Sequence, residues 1–372
     1  MDKTCVFFIA LFILLLWTPD KSTFAQSSDL KFKHITTKDG LSQNTITCIL
    51  QDSKGFMWFG TQDGLNKYDG SSFTQYHHDP HDSTSILGIF IYCILEDPEG
   101  NLWIGTEAGL NMFDRSRNQF IRYLHDENDP TSISGNDVRA IHRDTEGNLW
   151  LGVSGGVLDL FDPQTNQFIH FQHEGNESDK LSYNINAIHE DASNNLWIGS
   201  LNGNLSIFDR ENKTFNAFHF QDKKSTTSGV QSLTSDSENN IWISTYRNGL
   251  YVLRNIGNGD PAIEHFLNDP GDEGSISSND ILTVFEDSNG RIWVGTENKG
   301  LNEYNTKSGK FTRHHSDPFD ENSLSHNSIW SIREDNTGNL WIGTYAGGIN
   351  LLVKYSMDFG HYKHFPGKAK SL

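Results

Sequence analysis

Residues 100–114 read GNLWIGTEAGLNMFD. Near-copies follow the same grammar: GFMWFGTQDGLNKYD (55–69), GNLWLGVSGGVLDLFD (147–162), NLWIGSLNGNLSIFD (195–209), NIWISTYRNGLYVL (240–253), GRIWVGTENKGLNEYN (290–305) and GNLWIGTYAGGINLL (338–352). The seven tryptophans, Trp58, Trp103, Trp150, Trp197, Trp242, Trp293 and Trp341, are separated by 45, 47, 47, 45, 51 and 48 residues. A strand-like phrase returning every ~40–50 residues is the signature of a β-propeller, each copy building one blade. The expectation is therefore an all-β chain, a seven-bladed β-propeller of four-stranded antiparallel blades. Repetition also accounts for the length. Single cores stop growing near ~250–300 residues, whereas repeats that pack only on their neighbours escape that limit.

The second copy shows how one blade is read. Ile89–Glu96 (IFIYCILE) is β-branched and aromatic, and a turn at Asp97-Pro98-Glu99-Gly100 follows it. Leu102–Thr106, Gly109–Asp114 and Gln119–Leu124 supply three more strands, lettered A to D from the ring centre outward. Trp103 and Gly105 share one face of strand B because side chains alternate.

Some positions do not change between copies. An aspartate closes every strand A: Asp52, Asp97, Asp144, Asp191, Asp236, Asp287 and Asp335. Turn chemistry explains it, the carboxylate accepting from nearby backbone amides. The tryptophans read as packing between blades, and the glycine two places after each lets neighbouring sheets approach. The acidic D-to-A loops, such as HDENDPTSISGN (125–136), read as a repeated structured turn. Their spacings do not match those that wrap a calcium ion.

Other positions vary, and these are the informative ones. Four residues before the turn aspartate stand Cys48, Cys93, Ala140, Ala187, Ser232, Thr283 and Ser331. All are small, as crowding near an axis requires, so both thiols read as packing residues. Cys48 and Cys93 should lie too far apart for a disulfide. One residue earlier the row reads Thr47, Tyr92, Arg139, Asn186, Gln231, Leu282 and Trp330. Packing alone favours similar residues at equivalent sites. A ring of dissimilar polar and aromatic groups is what a recognition surface looks like. The B–C turns differ too, and the strand order places them at the same end of the ring. Tyr92, Arg139, Asn186, Gln231, Trp330, Tyr246, Arg247 and Tyr345 are thus the candidate ligand contacts, converging on one funnel mouth.

The remaining composition narrows the class. Lys3, an apolar run from Cys5 to Trp17, and Thr23-Phe24-Ala25 before Gln26 read as a signal peptide over 1–25. The run is short for a membrane span, which needs ~20 residues. A formal net charge of −19 argues against a nucleic-acid partner, which demands a basic face. No nucleophile elbow, His-Glu-x-x-His or phosphate loop is present. No catalytic residue, metal ligand or cofactor is therefore assigned. The pairs His77-His78 and His314-His315 read as exposed loop residues.

The ends carry a message of their own. Lys31–Ile35 resembles a D strand standing ahead of the first blade, so Phe32–Thr36 should complete blade seven and close the ring. KFKHITTKDGLSQN at the start of the ring and HYKHFPGKAKSL at the end match at Lys33-His34 and Lys363-His364. The propeller is expected over 30–357, with 358–372 opening a further repeat or forming a truncated tail.

The Leu-Trp-Ile-Gly-Thr-x-x-Gly-Leu-Asn-x-Tyr-Asp phrase, clearest at 100–114, 290–305 and 338–350, resembles the two-component regulator propeller repeat. The resemblance covers roughly residues 30–365. It implies the periplasmic sensor region of a hybrid two-component histidine kinase, with no enzyme activity in this segment. In such proteins two propellers precede a small β-sandwich, a membrane helix and a kinase. Any membrane attachment then comes only through downstream parts. The resemblance further implies an oligosaccharide or other small ligand, and a homodimer formed through the ectodomain. The fifth repeat departs most, with Ser244 in place of glycine and Leu250-Tyr251 in place of Leu-Asn. Two rival classes remain: an interaction or dimerisation scaffold, and, by a more distant resemblance, a propeller lyase.

Overall fold

The computed structural model describes residues 30–173, 181, 184–220, 228–256 and 261–354. The signal-peptide reading of 1–25 and the tail reading of 358–372 fall outside those residues. The chain divides into units Met1–Lys31 and Phe32–Leu372, and all the strands belong to the second.

Seven four-stranded antiparallel sheets account for nearly all of the regular structure. Six are built from consecutive strands. The seventh is ordered Phe32–Ile35, Ile349–Leu352, Leu340–Thr344, Ile329–Glu334. Phe32 pairs with Leu352 and Ile35 with Ile349, so the first strand closes the ring as the sequence predicts. Thr36 leaves the strand to cap a short turn at Thr37–Asp39. Strand A of blade two is also shorter than read, Ile91–Glu96. The Ile89 and Phe90 amides donate to the Glu107 carboxylate at 2.8 and 2.9 Å instead of entering the ladder.

Each blade is anchored by a pair of residues six apart. The turn aspartate accepts two backbone amides on Oδ1, as Asp52 does from Lys54 and Phe56. Its Oδ2 accepts from the tryptophan indole. Trp58 Nε1 donates to Asp52 at 2.7 Å, and the contact recurs in all seven blades at 2.7–3.1 Å. Buried indole nitrogens need such partners. Burial alone raises the carboxyls of Asp144, Asp287 and Asp335, but hydrogen bonds, with the tryptophan bond the largest for Asp144 and Asp287, outweigh it and leave them below the usual range. The tryptophans are 0–5% exposed, and several pack across to the next blade, Trp58 on Phe113 and Trp341 on Phe59 of blade one.

Blades meet through strand B glycines. A Cβ at Gly60 would lie 2.8 Å from Ile91 of blade two, and one at Gly343 would lie 2.7 Å from Ile46 of blade one. The contact therefore runs unbroken across the closure. Blade five carries Ser244 there, buried, and Ser232 Oγ donates to it at 2.8 Å.

The buried asparagine of strand C fastens the loop that leads into its own blade. Asn111 Oδ1 accepts from the Leu87 amide at 2.7 Å, and Asn66, Asn302 and Asn350 do the same for Ser42, Ser277 and Ser325. The acidic loops follow the same logic. Asp79 and Asp82 accept the amides of His81 and Thr84, and Arg122 donates to the Ser85 and Asp82 carbonyls. Among the described residues no group of three metal-binding side chains gathers. The histidine pairs divide: His77 is exposed, but the His314 side chain is only 14% exposed and sits beside Trp293. It ends strand D, Lys310–His314, opposite Leu301, the register place from which Tyr76 and Tyr123 stack on the tryptophans of their own blades.

Blade three replaces the strand C asparagine with Asp159, which is fully buried. His170 Nδ1 lies 2.7 Å from its carboxylate and Nε2 lies 3.0 Å from the Pro130 carbonyl. Both neighbours only accept, so both ring nitrogens carry protons and the cation is favoured. The Asp159 hydrogen bond leads the causes that raise the His170 pKa.

Two outcomes follow from this framework. Asp191→Ala leaves the Trp197 indole and two turn amides without their acceptor, and should lower unfolding free energy by about 1–3 kcal/mol, with Asp191→Asn costing less, as read from urea midpoints. The pH dependence of blade three has a definite sign. A raised pKa stabilises fully below the unfolded histidine value of about 6.5 and loses that contribution as pH rises through the folded value. The stability advantage of the unaltered protein over His170→Gln, measured in denaturant at stepped pH, should be largest in mild acid and shrink towards alkaline pH.

Candidate functional site

The variable row owes its position to a defect repeated seven times. In each blade the register of strand A on strand B slips by one residue. Ile91 opposes Thr106 and Cys93 opposes Gly105, leaving Tyr92 without a partner. The same slip strands Thr47, Arg139, Asn186, Gln231, Leu282 and Trp330. Residues two apart on a regular strand share a face. Here they do not. Ile91 packs on Gly60 of the preceding blade, whereas Cys93 packs on Gly105 and reaches Val138 of the following blade, 3.9 Å from its carbonyl. The bulge reverses the faces, and the extra residue is aimed elsewhere.

It is aimed at the axis. Thr47, Tyr92, Arg139, Asn186, Gln231, Leu282 and Trp330 line one cavity of about 300 Å³, joined by Phe90. That is the small end of the ~300–1,000 Å³ typical of small-molecule sites. The lining is two-sided. Aromatic groups occupy blades seven and two: Trp330 lies 6.5 Å from Phe90, and Phe90 lies 4.7 Å from Tyr92. Polar groups follow in blades three to five. Arg139 sits over the Tyr92 ring at 4.7 Å and its Nη2 donates to the Tyr92 hydroxyl at 3.4 Å. Among the described residues none donates a hydrogen bond to the buried Asn186 Oδ1. Desolvation raises the Tyr92 pKa, so the hydroxyl stays protonated at neutral pH.

Five of the eight candidate contacts thus meet in the cavity: Tyr92, Arg139, Asn186, Gln231 and Trp330. Tyr345 stands outside the lining, stacked on Trp330 at 5.5 Å and 29°. Tyr246 and Arg247 do not converge on it. Tyr246 bonds to Glu297 of the next blade, with Arg247 5.2 Å over its ring, so both run along the rim. The turn does lie at the expected end of the ring, since the Tyr246 amide donates to Gly229 and the Gly249 amide to Asn279.

A second row went unread in the sequence. Seven residues before the turn aspartate stand Phe90, Asp137 and Asn184 in blades two to four. Phe90 enters the cavity because Glu107 holds its amide. Asp137 holds Arg139, and Asn184 Nδ2 donates to Asp137 at 3.1 Å. The signal was available: two residues before the bulge row, chemistry varies in the same way.

A family model for the two-component regulator propeller matches residues 40–63, 85–108, 132–155, 179–202, 275–298 and 323–346. The chain carries two-component regulator propeller repeats in six of its seven blades. The regulator propeller's blade five is the one not matched, in keeping with its Ser244. The ring superimposes on the extracellular domain of a hybrid two-component system from B. thetaiotaomicron, BT3049, with TM-score 0.72 and 26% identity over 87% of this chain and 42% of that one. A second such domain, BT4673, gives 0.71 and 25%, covering 87% and 40%. A stretch of 86 residues is 46% identical to histidine kinase P4 of Formosa agariphila, 23% of this chain and 6% of that protein. The regulator propeller therefore spans less than half the length of these relatives. Streptogramin B lyase shares 13% identity at TM-score 0.63, a likeness of fold alone.

Among the described residues Cys48 and Cys93 are the cysteines, both free and partly buried thiols. Burial pushes Cys48 up to about 12 and Cys93 higher still. Iodoacetamide at pH 8 should label Cys48 and Cys93 far more slowly in the folded protein than in denaturant, as read by peptide mapping.

Proposed function

We propose that this propeller is the ligand-sensing part of an exported sensor, acting in the periplasm, and that its axial mouth holds a saccharide. The observation that carries the reading is the two-sided cavity. Pyranose rings offer an apolar face and an edge of hydroxyls. Trp330, Phe90 and Tyr92 supply flat apolar surface, while Asn186, Gln231 and Arg139 supply hydrogen-bonding groups from facing blades. The likeness to extracellular domains of hybrid two-component systems supports a sensory role. In that scheme the propeller itself makes and breaks no bonds. Occupancy of the mouth is the input, and the output belongs to a kinase.

A second reading is an interaction or dimerisation scaffold. Phe319, 97% exposed in the loop between blades six and seven, favours it. The two readings coexist if ligand binding alters association.

The test is a glycan array followed by calorimetric titration of the exported chain. A neutral oligosaccharide should bind, and Trp330→Ala should weaken it by about tenfold, ~1.4 kcal/mol, with little change in melting temperature. Absence of any glycan binding, or binding indifferent to Trp330→Ala, rejects the mouth as a saccharide site.

A further inference from the structure

The mouth carries one formally charged lining residue, Arg139, and its charge is already answered. Arg139 Nε donates to Asp137 Oδ1 at 3.0 Å and Nη2 donates to Oδ2 at 3.1 Å. This is the two-point geometry in which guanidinium and carboxylate bind most strongly. Asn184 Nδ2 donates to the same Asp137 oxygen, fixing the carboxylate from the neighbouring blade. The guanidinium is further held by the Tyr92 ring and hydroxyl.

Resting on the saccharide reading, we infer that Asp137 sets the charge preference of the mouth, so that it takes an uncharged sugar unit and rejects an acidic one. Three features act together. A uronate carboxylate approaching Arg139 finds the Nε–Nη2 edge of the guanidinium occupied and a like charge beside it. Opposed like charges are a strong source of discrimination. Asn186 Oδ1 is a buried acceptor lacking a donor among the described residues. A sugar hydroxyl has a proton to offer it, and an ionised carboxylate has none. The formal net charge of −19 adds a long-range term of the same sign. Asp137 does not line the cavity, so it acts through Arg139 as a positioning residue.

The experiment compares galactose with galacturonate as probes, titrated into isotope-labelled protein while the arginine Nε–H and tryptophan indole signals are followed. In the unaltered protein galactose should shift the Trp330 indole signal, and galacturonate should bind at least about tenfold more weakly. Asp137→Asn keeps the side-chain shape and frees the Arg139 charge. It should reverse that order and bring the Arg139 Nε–H signal into the galacturonate response. Asp137→Ser serves as a second variant should the first fail to fold, and Arg139→Gln should gain nothing for galacturonate. Equal affinity for the two sugars, or a ratio unchanged in both Asp137 variants, overturns the inference and leaves the saccharide reading standing. If neither sugar shifts any mouth signal in any variant, this inference falls, and the saccharide reading falls with it only where the glycan array is blank as well.

Discussion

Close approach between neighbouring blades is the constraint on which the molecule depends. A β-branched residue at the start of each strand A must press into the hollow above a strand B glycine of the blade before it, as Ile91 does on Gly60. Six such contacts, with Ser244 in place of glycine at the seventh, leave no room for larger groups near the axis, and Cys48, Cys93, Ala140 and Ala187 are small for that reason. The Asp–Trp pair holds the other end of the same strands. One carboxylate satisfies both a tight turn and the only polar atom of a buried indole, so the sheet is fixed at its turn and its middle together.

The same constraint produces the site. Strand A has to face the preceding blade at its first residue and the following blade at its third. A regular strand cannot do this, because its side chains alternate with a period of two. A one-residue bulge can, and the residue it releases has only the axis to face. The variable chemistry of the cavity is therefore carried by residues that the sheets do not use. Thr47, Tyr92, Arg139, Asn186, Gln231, Leu282 and Trp330 are free to differ because no sheet partner constrains them.

Legibility in the sequence divides along that line. Positions that repeat reveal the blades, since the Trp spacing reports the period and the Phe32–Ile35 strand announces how the ring closes. The bulge row could be read because it breaks a uniform pattern. Its mechanism could not, since register slips leave no mark in a single strand. The seven indole–carboxylate bonds were present as a constant spacing of six, but the turn amides already accounted for the aspartates. Asp137 and Asn184 were hidden differently. They act through Arg139, and a side chain that positions another is visible only once both are placed. Tyr246 and Arg247 were misplaced because Glu297 of the adjacent blade draws Tyr246 along the rim.

The closing strand has a consequence for how the chain is made. Phe32 and Leu352 are 320 residues apart in sequence (352 − 32) and neighbours in the sheet. Every other blade is assembled from hairpins of local strands, so most of the molecule can organise as it emerges. The seventh blade cannot be finished until residues 349–352 have been synthesised, and so the ring stays an open arc until then. Contacts of such long range are slow to form because loop-closure entropy must be overcome first. The pairing of Phe32–Ile35 with Ile349–Leu352 is therefore the last contact of the ring that synthesis of the chain permits.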